Sequence, residues 1–333
     1  MNKTIKTVLL VFAVIITAYV IYYPLKDSND IALYSGPVLN DNWFSALNWI
    51  KNNTPECSII ATYWDPGHFI TGIAERPVVF DGATQNSMRT LTIEGSLSDD
   101  EIRAVAAIPN YEFRRFEKDG KNYTNITTAR IQDIGMSLLT SNESQALQIL
   151  KKYQYPTPRG AIPECPDFSV YYIASGDLIG KSQWWTYFGS WSPATHTGTK
   201  YYYIPIGLGQ RKPMLSDNAT AYVYPISTSE QFVIYEKNST LNAFYQQGSN
   251  VLRVEKLFYF SGQYGIMMSN PDSELKGMVW LSPDMGTIIF VPTELENSMF
   301  TKMFLFNGQG LEKYKMVGNF GGEIKIFEVN MSA

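Results

Sequence analysis

Six consecutive residues, Tyr63-Trp64-Asp65-Pro66-Gly67-His68, place a phenol, an indole and a carboxylate at the junction of two apolar runs. The run before them, Ser58-Ile59-Ile60-Ala61-Thr62, predicts a strand, and the run from His68 to Glu75 predicts a helix. Such a junction carries donor and acceptor groups together on one exposed ledge. That chemistry suits recognition of a small hydroxyl-bearing group, because a carboxylate accepts a hydroxyl proton while an indole N–H donates. The same residues also make a well-formed turn. Asp65 would be the N-cap and Pro66 the first helical residue, where its missing donor costs nothing. The two readings are compatible, since a capping carboxylate can also bind a ligand.

The elements that must position this ledge follow from periodicity. Asn40 or Asp41 can cap a helix that carries Trp43, Leu47 and Ile50 on one face. Residues 58–62 form the strand that enters the motif, residues 78–80 a short second strand, and Asp81-Gly82 turns the chain. Ser98 and Glu101 form a capping-box pair at the start of a helix over 101–108. Further helices are expected at 130–139 and 143–153, and a buried strand at 168–174. Strands alternating with helices predict an α/β layer with some parallel pairing. From about Tyr201 the texture becomes β-rich, with short runs at 220–226, 231–235, 257–260, 278–281, 287–291 and 323–329.

A second chemical cluster follows the 168–174 strand directly. Asp177 and Lys181 stand four residues apart, the spacing of a helical ion pair worth about 0.2–0.5 kcal/mol in isolation. Trp184, Trp185, Tyr187, Phe188 and Trp191 come next and predict core or membrane-facing packing rather than a sugar platform.

Taken together, these segments resemble the globular C-terminal domain of the oligosaccharyltransferase catalytic subunit, in its archaeal form. The family signature reads W-W-D-Y-G. This chain matches it at Trp64, Asp65 and Gly67 and departs at Tyr63 and Pro66. The resemblance extends from about Trp43, through Ala74-Glu75-Arg76-Pro77, to Met299-Phe300-Thr301-Lys302-Met303 and Gly308-Gln309-Gly310-Leu311. It implies that Tyr63, Trp64, Asp65 and Gly67 contact the acceptor of N-glycosylation, an Asn-x-Ser/Thr segment. It implies also that Asp177 and Lys181 match a second motif that packs beside the first, with the lysine one residue later than common versions place it. The reaction implied is transfer of a lipid-linked oligosaccharide to asparagine. In the resembled enzymes a divalent metal, Mg or Mn, and the lipid-linked sugar are held by a many-helix membrane region. This chain is therefore expected to bind no cofactor itself and to need a separate multispanning partner. The competing reading is a non-catalytic, membrane-anchored surface protein that keeps the fold without handling such segments.

Composition bounds the remaining possibilities. The 333 residues suggest about two domains, and 45% hydrophobic content supplies ample core. A net charge of −4 with no basic cluster argues against a nucleic-acid partner. With only His68 and His196 present, a histidine-rich metal centre is excluded. No Gly-rich phosphate loop and no Gly-x-Ser-x-Gly elbow occurs. Residues 7–25 carry no charge, close to the ~20 residues that cross a bilayer core, and Lys3 and Lys6 precede them. That pattern predicts an uncleaved single-pass anchor in the cell membrane with the rest of the chain outside. A signal peptide would have a shorter apolar region and a small-x-small cleavage site. Beyond the anchor, Asn-x-Ser/Thr occurs at Asn52, Asn122, Asn125, Asn142, Asn218, Asn238 and Asn330, a pattern that permits export. The two cysteines, Cys57 and Cys165, each follow Pro-Glu; a disulfide between them and two buried thiols are both open.

The expected architecture is thus mixed α/β. It comprises a cytoplasmic N-terminus and transmembrane helix over 1–25, an α/β domain with the motif over 26–200, and a β-rich domain over 201–333.

Overall fold

The computed structural model describes residue 12 and residues 16–28, 39–153, 169–214 and 219–332. The chain divides between Phe44 and Ser45 into two units, and the second carries every sheet. In the first unit, residues 16–28 are helical (α1) with exposed side chains. Of the expected membrane span, residues 7–11 and 13–15 lie outside the described residues. Among the described residues no helix is long and apolar enough to cross a membrane.

Helix α2 (Asp41–Asn53) starts where the sequence predicted. Asn40 Oδ1 accepts the Trp43 N–H at 2.9 Å, so Asn40 is the cap. Its C-terminal end is tied to the chain after the motif by Arg76. This buried guanidinium donates to Thr54 Oγ1 at 3.0 Å and to the carbonyls of Lys51 and Thr54 at 2.7 Å each.

The sheet that matters for the site has four strands in the order β1-β5-β16-β15. Strand β1 (Ile59–Ala61) lies parallel to β5 (Val170–Ser175), with Ala61 beside Tyr172. Every residue of both strands is buried, as a sheet covered on two faces requires. The mixed α/β class with parallel pairing is therefore present. The last strands of the chain, β15 (Tyr314–Phe320) and β16 (Ile324–Val329), return to this sheet, β16 running antiparallel to β5. The expected strand at 78–80 is reduced to one bridge, Val78 with Ile60.

Two sheets complete the unit. Strands β2 (Met88–Glu94), β3 (Glu112–Lys118) and β4 (Lys121–Ala129) form an antiparallel trio in the order β2-β4-β3, which periodicity did not show. The β-rich region is one nine-stranded sheet, β6-β14-β13-β11-β10-β9-β8-β7 with β12 on β11. Its members are β6 (Ile204–Gly207), β7 (Gln210–Met214), β8 (Ala219–Pro225), β9 (Glu230–Lys237) and β10 (Thr240–Gln247). Strands β11 (Asn250–Ser261), β12 (Tyr264–Ser269), β13 (Leu275–Leu281) and β14 (Thr287–Val291) follow.

Between β1 and β2 the chain forms the short helix α3 (Gly67–Phe69), which widens at once into a π-helix over Ile70–Ala74. The predicted capping box is present at α4 (Asp99–Ala106), where Ser98 and Glu101 bond reciprocally. Helices α5 (Arg130–Leu139) and α6 (Glu143–Lys151) precede β5. Helices α7 (Asp177–Gly180) and α8 (Ser182–Gly189) follow it. Helix α8 crosses α5 at two glycines; a Cβ on Gly135 would stand 2.6 Å from the Trp185 carbonyl oxygen, and one on Gly189 2.5 Å from the Gly135 carbonyl carbon. A second π-helix, Thr301–Leu305, belongs to the closing segment, in which Met299, Phe300 and Met303 are fully buried.

Candidate functional site

Parallel pairing sends β1 and β5 out of the sheet at the same edge, where ligands commonly bind in open α/β sheets. The chain after β1 carries Trp64 and Asp65, and the chain after β5 carries Asp177 and Lys181. The structure brings these together. The Lys181 ammonium stands 2.7 Å from Asp65 Oδ2 and 2.7 Å from Asp177 Oδ2. The Asp177 contact is a hydrogen bond. Asp65 Oδ2 is buried without a hydrogen bond of good geometry, so its compensation is the ammonium's charge. All three side chains remain about one-third exposed: 31% for Asp65, 36% for Asp177 and 35% for Lys181.

Partial burial disfavours the Lys181 ammonium. The hydrogen bond it donates to Asp177 and the charges of Asp177 and Asp65 outweigh that cost and raise its pKa above the usual lysine value. Lys181 is therefore a fixed cation between two carboxylates at any ordinary pH. Asp177 is itself held by Ser175, whose Oγ donates to Asp177 Oδ1 at 2.5 Å. Ser175 is the last residue of β5, so the strand's end orients the acid directly.

The helix that supports Lys181 is pinned from below. Trp185 is fully buried and donates its indole N–H to the Leu178 carbonyl at 2.9 Å, joining α7 to α8. Its ring packs 5.6 Å from Phe300 and 6.2 Å from Tyr203. Trp184, by contrast, is 47% exposed, with the Lys200 ammonium 5.0 Å from its ring centroid.

Two expectations for the motif are corrected. Tyr63 does not share the exposed ledge. It is 2% exposed and its ring meets Phe80 edge-on at 6.0 Å, because it continues an unbroken buried run from Ser58 in a sheet covered on both faces. Burial, with the Asp65 charge adding, pushes its phenol well above the usual tyrosine range against a hydrogen bond from Trp64. Asp65 is not the helix cap either. Pro66 occupies that position and no side chain caps α3. The carboxylate is thereby left to Lys181.

Trp64 is half-buried against the main core. Gly67 is required by close approach, since a Cβ there would lie 2.5 Å from the Asp81 Cβ and 2.7 Å from the Phe80 carbonyl. Its contribution is steric. Asp81 closes the adjoining turn by accepting from the Thr84 N–H at 2.8 Å and the Thr84 hydroxyl at 2.7 Å.

Among the described residues no group of three His, Cys, Asp or Glu side chains can hold a metal ion. Asp65 and Asp177 do converge, but on the Lys181 ammonium, which occupies the place between them. They do not fit a metal. Cys57 is disulfide-bonded; Cys165, the other cysteine of the sequence, lies outside the described residues.

Sequence reasoning missed Arg76 and Ser175, whereas the core packing expected of the 184–191 aromatics is found at Trp185. Only Arg76 had a local signal, a charged residue flanked by Glu75 and Pro77 between an apolar run and a strand.

Comparison with known proteins extends the resemblance along the chain. It is 27% identical over 354 residues to the dolichyl-phosphooligosaccharide-protein glycotransferase of Methanocaldococcus jannaschii, covering 95% of this chain and 36% of that protein. It is 24% identical over 336 residues to the protein of that name from Methanococcus voltae, covering 86% of this chain and 36% of that one. The chain thus spans about a third of the length of these archaeal relatives. Among solved structures, the C-terminal domain of PglB from C. jejuni aligns with 86% of this chain and 98% of its own, at 13% identity and a TM-score of 0.41. That likeness is too slight to carry an argument. No protein-family model matches.

Proposed function

We propose that this chain, similar over 95% of its length to an archaeal glycotransferase, reads the Asn-x-Ser/Thr acceptor segment for an N-oligosaccharyltransferase. The observation that supports this most is the meeting of Asp65 with Lys181 at the common edge of β1 and β5. Lys181 engages Oδ2 of Asp65, so Oδ1 is the oxygen offered to an incoming hydroxyl. The fixed cation holds that carboxylate in one orientation before the acceptor arrives, and the indole of Trp64 flanks it. Pre-ordering of this kind lowers the entropy lost on binding.

The energetics select the third residue of the segment. A hydrogen bond from a Ser or Thr hydroxyl to a carboxylate contributes roughly 1.5–3 kcal/mol. Burial of the Thr methyl adds up to about 0.8 kcal/mol. Alanine at that position gains neither. Transfer itself, from a lipid-linked oligosaccharide to the acceptor asparagine, falls to a multispanning partner or to a membrane region of the same enzyme. No residue described here activates the amide. We place the domain on the outer side of the cell membrane, in keeping with the uncharged run at residues 7–25.

The test is titration of Asn-x-Thr and Asn-x-Ala peptides against the chain and its Asp65→Asn variant. Preference for Thr in the wild type, lost in the variant, is the expected result. A folded protein that binds neither peptide, with or without a membrane partner, would favour the non-catalytic surface protein instead.

A further inference from the structure

Beyond residue 25, seven Asn-x-Ser/Thr segments occur in the chain, and the fold treats them very differently. Two conditions make such a segment a substrate in a folded protein. The asparagine amide must face solvent so that the product is tolerated, and the hydroxyl must be free to be read.

Five segments are tied into the fold, three of them through a hydroxyl that is already bonded. The hydroxyl of Thr54, which serves Asn52, is buried and bonded to the Ile50 carbonyl and to Arg76. That of Thr124, serving Asn122, is buried and donates to the Gly95 carbonyl at 2.8 Å. Asn125 sits within β4, accepting from the Thr92 hydroxyl at 2.8 Å, and its Thr127 hydroxyl pairs with that of Thr90 at 2.9 Å. Asn142 caps α6 by accepting from the N–H groups of Ser144 and Gln145, so the whole segment is fixed in a helical start. Asn330 holds the Ser332 N–H at 3.0 Å in a local turn. Asn218 lies outside the described residues.

Asn238 differs. Lys237 pairs with Thr240, so Asn238 and Ser239 are the two-residue tip of the β9–β10 hairpin, with φ of 50° and 62°. Asn238, Ser239 and Thr240 are all exposed. Neither the Asn238 amide nor the Thr240 hydroxyl makes a side-chain hydrogen bond among the described residues. A primed turn is too tight to present an extended segment, but Thr240 is exposed at the end of the β9–β10 ladder and can leave it while Lys237 stays paired with Ala219 of β8.

We infer that Asn238 is itself a glycan acceptor and carries an N-linked oligosaccharide on the exported protein. The inference rests on the outward-facing placement argued above. In the step, a bond forms between Asn238 Nδ2 and C1 of the sugar. The bond from C1 to the phosphate of a lipid-linked oligosaccharide breaks, its electron pair stays on the phosphate, and one amide proton is lost. Asparagine is also a natural residue for a left-handed turn position, so its presence alone is no signal. The free hydroxyl two residues on is what adds the second requirement.

The experiment is peptide mass spectrometry on the chain expressed and exported in an archaeal host with active N-glycosylation, where a co-expressed exported reporter shows modified Asn-x-Thr. Peptides spanning Asn238 are expected to carry the host oligosaccharide mass, and those spanning Asn52, Asn122 and Asn125 to be bare. Asn238→Gln and Thr240→Ala should each remove the mass; the latter keeps the turn asparagine and so separates modification from turn formation. A bare Asn238 peptide beside a modified reporter overturns the inference. If another asparagine of the chain is modified, the outward placement survives that failure. If every segment is bare and the chain resists external protease in intact cells, the placement fails as well.

Discussion

Lys181 donates its charge to Asp65 across the edge where β1 and β5 leave the sheet, at 2.7 Å. The contact joins two motifs far apart in the chain and engages one oxygen of Asp65. Because both side chains are about one-third exposed, solvent screens the pair and its contribution to stability is small, about 0–1 kcal/mol. Its value lies in orientation. Lys181→Met should therefore lower the thermal midpoint by only a few degrees while weakening Asn-x-Thr binding about ten-fold or more. Calorimetric titration beside a thermal melt checks this, and unchanged affinity would remove Lys181 from the site.

Gly67→Ala tests the steric role of the motif glycine. The new Cβ would meet Asp81 and the Phe80 carbonyl at distances no side chain tolerates, and backbone there has little room to yield. A cost of about 1–3 kcal/mol is expected in denaturant unfolding. Wild-type stability in the alanine variant would show that the 80–81 segment does not press on the motif as described.

Lys325 sets a pH dependence. It is 6% exposed, and burial pushes its pKa down to about 8, although bonds to the Phe304 carbonyl and Asn307 favour the ammonium. A lysine with a folded pKa below its unfolded value of 10.5 costs stability while charged. The cost is fully present below about pH 8 and is relieved as pH rises toward 10.5. Wild type should gain up to about 3 kcal/mol relative to Lys325→Met across that window. Parallel curves for the two proteins would place the lysine in water instead.

The pattern of strands and helices was legible where burial imposes a period. Helix α5 matches its expected range because its apolar stripe faces the core, and the parallel β1–β5 pair follows from two short runs buried on both faces. Strand β3 was not legible. Its residues Glu112–Lys118 are exposed on both faces but for Phe116, so no alternation marks them. Within the motif, Tyr63 is core because the buried run that begins at Ser58 continues through it, and an apolar run covered on both faces carries no alternation to show which side chain surfaces. The contact of Lys181 with Asp65 depends on the register of Ala61 against Tyr172, a tertiary choice that spacing along the chain does not encode.

Activity of the isolated chain offers another check. With no metal-holding cluster among the described residues and the Lys181 ammonium already seated between Asp65 and Asp177, the purified protein should transfer no oligosaccharide to an Asn-x-Thr peptide. Radiolabelled lipid-linked donor with divalent metal is the assay. Metal-dependent transfer by the chain alone would require catalytic groups that this account does not assign.

Paired titrations decide whether Asp65 reads the acceptor hydroxyl. Asn-x-Thr, Asn-x-Ser and Asn-x-Ala peptides are titrated against wild type, Asp65→Asn and Asp65→Ala, with the membrane partner present where one is known. Since Pro66 and not Asp65 occupies the cap position, neither substitution removes a helix cap, and both variants should remain folded. The account predicts affinity in the order Thr, Ser, Ala for wild type, with Ala at least about ten-fold weaker, and no discrimination by either variant. Equal binding of the Thr and Ala peptides by folded wild type would contradict it.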